Sequence, residues 1–157
     1  MSVVSRPRSC LTYPSGLLAL TFLTFVLWGC AVRLVSDYDE VIDRSATDLQ
    51  MKVAAFLGRM EATPGTSEGE YANNRVFYEQ ARAALGAMRF RAQASPGGEP
   101  TVQHLAELEK QIENLRRLHE RRGQAGLTRA AIDPIRTAIN AELKAIVALE
   151  LARKRGR

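Results

Sequence analysis

Histidine and cysteine are scarce in this chain, and their scarcity removes most metal and thiol chemistry. Its 157 residues hold two histidines, His104 and His119, and two cysteines, Cys10 and Cys30. No Cys-x-x-Cys pair exists, so a zinc knuckle, a haem attachment site and a redox dithiol are all excluded. Cut before Cys30, the chain would keep one thiol and could form no internal disulfide. The Glu-x-x-His pairs that hold two irons in helical bundles are missing as well, because the residues three before the histidines are Thr101 and Arg116. There is no Gly-rich phosphate loop, no Gly-x-Ser-x-Gly and no Ser-x-x-Lys, and Ser36 and Ser45 have no evident base. Strand signals are also lacking: no sustained apolar alternation and no Asn-Gly hairpin turn. These absences lead us to expect an all-α protein with no cofactor, no metal and no enzymatic activity.

Charge of one sign is not concentrated either. The formal net charge is +5, with 22 basic and 17 acidic residues. Arg6 and Arg8 precede the first apolar run and every acidic residue follows it, so beyond residue 30 there are 20 basic against 17 acidic residues. That balance, with no nucleic-acid-reading motif, gives no reason to expect a nucleic-acid partner. Asp37, Asp39, Glu40 and Asp43 cluster at the start of the first long helical pattern, where a solvated helix face is the expected role.

What is present begins with residues 1–29, which read as an export signal. A short basic region with Arg6 and Arg8 and a turn signal at Pro14 and Gly16 lead into an apolar run from Leu17 to Trp28. That core of about a dozen residues is short beside the roughly 20 needed to span a bilayer. Leu27, Trp28, Gly29 and Cys30 resemble the lipobox of bacterial lipoproteins, although Trp28 is bulkier than the residue usual at its position. The resemblance implies cleavage before Cys30, a diacylglyceryl group on its sulfur and acylation, palmitate included, of the new amine. Several acyl chains would make the tether effectively permanent. It also implies that Ala31, following the cysteine, sorts the protein to the outer membrane of a diderm host. The alternative is an uncleaved single-pass anchor in the inner membrane, since residues 11–32 carry no charge and Trp28 suits an interface. Both readings face the bulk of the chain toward the periplasm.

Residues 30–157 form the expected bundle domain. Val35, Tyr38, Ile42, Ser45, Leu49, Val53, Phe56 and Met60 step by three or four and predict a first helix of roughly 30 residues. Thr63, Pro64 and Gly65 end it, and the Ser67/Glu70 spacing predicts a capping box opening the second helix, with Tyr71, Tyr78, Ala81, Leu85, Met88 and Ala92 on one face. After the turn ASPGGEP at 94–100, Thr101 is the expected cap of a third helix striped by Leu105, Leu108, Ile112, Leu115 and His119. Gly123 and Gly126 close it. Asp133 before Pro134 predicts the next N-cap, with a short turn from Thr128 ahead of it, and Ile135, Ile139, Leu143, Ile146 and Leu149 or Glu150 mark the fourth seam. Short connections favour an antiparallel up-down-up-down four-helix bundle, preceded by the N-terminal signal or anchor helix. His119, on its apolar stripe, is expected to pack or cap rather than ligate.

Two basic clusters remain. Arg116, Arg117, Arg121 and Arg122, with Arg129 nearby, gather at one loop, and Arg153, Lys154, Arg155 and Arg157 form the tail. Arginine suits carboxylate and phosphate, so both clusters are candidates for an anionic partner or a membrane surface. The bundle topology should return the tail to the end where the first helix begins. Small helical lipoproteins of bacterial envelopes are similar in outline and supply no activity to carry over. The resulting expectation is a membrane-tethered interaction or scaffold module with an envelope protein partner. The alternative is a binding protein holding a small apolar or metal ligand in the bundle core.

Overall fold

The computed structural model describes residues 38–156, so the signal segment, Cys30 and Arg157 lie outside the described residues. Those described form four long helices and no strand: α1 Glu40–Ala62, α2 Tyr71–Ala94, α3 Glu99–Arg122 and α4 Arg129–Arg155. Short 3-10 turns at Ser67–Gly69 and Gly123–Ala125 lie in two of the connections.

The direction of each helix can be read from contacts at its two ends. The backbone N–H of Asp39, at the start of α1, donates to Glu150 near the end of α4, and Glu61 near the end of α1 pairs with Arg136 near the start of α4. Gly69, just before α2, meets His119 near the end of α3, while Arg89 near the end of α2 pairs with Glu109 of α3. Neighbouring helices are therefore antiparallel, wrapped around one core.

That core is drawn almost wholly from the periodic apolar positions. Leu49, Val53, Phe56 and Met60 of α1 meet Tyr78, Leu85 and Met88 of α2, Leu105, Leu108, Ile112 and Leu115 of α3, and Ile139, Leu143 and Ile146 of α4, all buried. Each such side chain contributes on the order of 1.5–3 kcal/mol by leaving water.

The starts of the helices differ from the local expectations, each for a tertiary reason. Described α1 begins at Glu40, capped by Asp39, whose carboxylate accepts from the amides of Val41 at 2.9 Å and Ile42 at 3.2 Å. Its core stripe uses Ala46 in place of Ser45, which is only half-buried, because Ala46 is small enough for complete burial. Ser67 and Glu70 do not form the capping box. Thr66 caps the 3-10 turn instead, and α2 starts at Tyr71 with no side-chain cap, while the amides of Asn73 and Asn74 reach back to the carbonyls of Ser67, Glu68 and Glu70. Thr101 is not a cap but the third residue of α3, fully buried, because Pro100 sits readily in the first turn and the helix starts at Glu99.

Helix α4 starts at Arg129, not at Pro134, which lies inside it. Proline there removes one N–H and leaves the Ala130 carbonyl without its helical donor. The added turn buries Ile132 completely and follows the equally buried Leu127, an apolar gain that offsets the lost bond.

Candidate functional site

At the end of the bundle where α1 begins, Arg153 of the basic tail is drawn into an ionic network. Glu150 of α4 is fully buried and occupies the seam position. Its carboxylate accepts from the Asp39 backbone N–H at 3.0 Å, from Thr101 Oγ1 at 3.4 Å and from the Arg153 guanidinium one turn later on α4. Arg153, 6% exposed, also donates to the Gly97 carbonyl at 3.1 Å. Asp39 in turn accepts from Arg91 of α2 through Nε and Nη2, at 3.0–3.3 Å. Burial works to raise the Asp39 carboxyl, but Arg91 and the two capped amides outweigh it and hold the group below the ordinary carboxylate range. All four helices and the α2–α3 turn are joined here by charged groups. Among the described residues no buried side-chain polar atom lacks a partner.

The tail residues therefore separate by role. Arg153 is used inside the bundle and offers no charge to an outside anion. Lys154 holds its ammonium 5.1 Å from the centre of the Tyr38 ring, just ahead of α1. Arg155 is exposed and makes no ion pair among the described residues.

The opposite end buries a neutral, aromatic cluster beneath its surface ion pairs. His119, fully buried, places Nε2 2.8 Å from the Gly69 carbonyl and Nδ1 2.8 Å from the Tyr78 hydroxyl. A carbonyl can only accept, so Nε2 carries the proton and the bare Nδ1 accepts from Tyr78. Burial lowers the His119 pKa against the bond to Gly69, which favours the charged ring, and burial raises that of Tyr78. Phe56 stacks on Phe77 at 3.8 Å between ring centres, and Tyr78 meets both edge-on.

The loop cluster of arginines is largely paired. Arg116 pairs with Glu113 at 2.8 Å and Glu120 at 2.9 Å, and donates to the Tyr71 hydroxyl at 3.3 Å. Hydrogen bonding to Arg116 keeps Glu113 below its usual pKa. Arg117 reaches Asn114 at 3.0 Å and Glu113 at 3.8 Å, and Arg122 donates to the Gly126 carbonyl at 2.8 Å. Arg121 is exposed with no ion pair among the described residues. Arg129 joins Arg136 on Glu61.

A surface groove of about 480 Å³ opens between α1 and α2, lined in part by Lys52, Arg59, Asn73, Phe77 and Gln80. Periodicity did not mark it, because its residues belong to the flanks of two apolar stripes. Asp39 and Arg91 were likewise missed as a pair, lying 52 residues apart. Among the described residues no cluster of three His, Cys, Asp or Glu converges as a metal site would require. No family model matches the chain, nor does any curated protein or solved structure.

Proposed function

We propose that this chain is an envelope lipoprotein, tethered through acylated Cys30 and facing the periplasm, whose helical bundle serves as an interaction or scaffold module for an envelope protein. The observation that carries this reading is the sequence Leu27-Trp28-Gly29-Cys30 closing a charge-free apolar run. Support comes from the bundle itself. Among the described residues no helix is long and apolar enough to cross a membrane, so attachment by them would need another device. The ionic network fixes the residue at which α1 begins to three other helices, a firm base for a chain attached upstream. Ala31 favours the outer membrane of a diderm host, and an uncleaved inner-membrane signal anchor is the competing form of the tether.

Metabolic labelling with a radioactive fatty acid tests the proposal directly. The parent chain should take up label and mature to a shorter form, while Cys30→Ser should remain unlabelled at precursor length. Equal processing of the two would remove the lipobox reading.

A further inference from the structure

The groove between α1 and α2 brings two cations that hold no carboxylate among the described residues into one cleft. Of the bundle's arginines, Arg44, Arg82, Arg89, Arg91, Arg116 and Arg136 each hold a carboxylate. Lys52 and Arg59, on the α1 wall of the groove, hold none among the described residues. Asp48, one turn before Lys52, is exposed, forms no ion pair with it and does not line the groove. The facing wall offers amides. The Gln80 side chain is without a hydrogen bond among the described residues, and Asn73 and Asn74 spend their Nδ2 groups on loop carbonyls, leaving Oδ1 free to accept. Between the walls lies Phe77, one face stacked on Phe56, its remaining surface partly exposed.

We propose that this groove binds an acidic peptide segment in a polyproline II conformation, with two carboxylate side chains three residues apart on one edge and an apolar side chain between them. The spacing follows from the two backbones. Lys52 and Arg59 stand seven residues apart on one helix, about 10.5 Å along its axis at 1.5 Å per residue. Three residues of polyproline II chain make one full turn, cover about 9.3 Å at 3.1 Å each and bring the side chain back to the same edge. A carboxylate at each end meets a cation, the apolar residue rests on Phe77, and the peptide's own N–H and C=O groups find the amides opposite. A membrane surface fits less well, since the cations line a cleft containing an aromatic floor. The inference names the partner chemistry of the interaction module and rests on that reading, although it makes no use of Cys30. Failure of the lipid tether would leave it standing.

The test uses the full chain in zwitterionic nanodiscs and the anisotropy of a rhodamine-labelled peptide Glu-Leu-Ala-Glu, with empty nanodiscs subtracted. Saturable binding is expected, weakened roughly tenfold by the exposed pair of substitutions Lys52→Gln and Arg59→Gln together, as for the loss of two favourable charge contacts. The Gln-Leu-Ala-Gln peptide should show a similar loss. Lys144→Gln with Arg155→Gln removes the same charge elsewhere and should leave affinity within about twofold. An unchanged melting curve for each variant checks that the fold is intact. The proposal is overturned if the acidic peptide does not bind, if the groove variant binds as well as the parent, or if the control variant loses as much, which would make the effect one of net charge.

Discussion

The two ends of the bundle bury their innermost polar groups with different materials. Both must bury the polar groups of helix termini and loops. Where α1 starts, charged residues do it: Glu150 and Arg153 inside, Asp39 and Arg91 at the rim. At the other end the innermost groups are neutral, with His119 bridging Tyr78 and the Gly69 carbonyl beside the stacked Phe56 and Phe77, while charged groups such as Arg122 and the Glu61–Arg136 pair lie nearer the surface. The difference matters because a charge removed from water depends wholly on its partner, whereas a neutral hydrogen bond costs less to lose. The ionic end should thus be the more brittle to single substitutions, and the aromatic end the more sensitive to pH.

The largest test of that contrast is Glu150→Ala, which strands the Arg153 guanidinium in the interior and should destabilise the bundle by about 3–5 kcal/mol in urea denaturation. Replacing both, Glu150→Leu with Arg153→Met, should restore most of the loss. A double variant as unstable as the single one would mean that shape, not charge, governs this end. Next in size, Tyr78→Phe leaves His119 Nδ1 without a donor and should cost about 1–3 kcal/mol by the same measurement.

The pH response follows from His119. Its pKa in the fold lies below the ordinary value, so the unfolded chain binds more protons as the solution is acidified. The stability contributed by the neutral ring is complete above about pH 6.5 and is lost as pH falls through the folded value, with a slope of at most about 1.4 kcal/mol per pH unit. Melting between pH 7.5 and 5 should show this decline, and His119→Gln should flatten it. An unaltered slope in that variant would shift the cause to another group. The smallest effect is expected from Arg91→Ala. Its side chain is 46% exposed, so the pair with Asp39 should be worth about 1 kcal/mol or less, screened by salt.

How much of this was legible in advance depended on the range of the interaction. The seams built from Leu105, Leu108, Ile112 and Leu115, or from Ile139, Leu143 and Ile146, follow from a 3.6-residue period that is local, and the structure buries them all. Helix starts failed where a local rule met a distant partner. Thr101 has the side chain of a cap, but its hydroxyl points to Glu150, 49 residues away. Ser67 and Glu70 have capping-box spacing, yet the Gly69 carbonyl between them is held by His119, and a Cβ at Gly69 would lie 2.1 Å from the Thr63 carbonyl oxygen. Asp39 looked like one acid of a solvated cluster, while in the fold its carboxylate serves a helix cap and Arg91 together. Glu150 stood beside Leu149 as a seam candidate, and only Arg153 one turn on hinted that the charged residue could be the buried one. The unpaired cations of the groove are invisible without knowing which arginines elsewhere are engaged.

Pro134 gives α4 an uneven resistance to opening. The hydrogen-bond ladder of this helix lacks a rung at the Ala130 carbonyl, so residues 129–133 are joined to the remainder by one backbone bond fewer than an unbroken helix would give them. Their hold on the molecule is chiefly the buried side chain of Ile132. In native-state hydrogen exchange the amides of Ile132 and Asp133 should therefore exchange through a local fluctuation of lower free energy than global unfolding, while those around Leu143 wait for the whole bundle to come apart. Protease sensitivity should concentrate at this first turn.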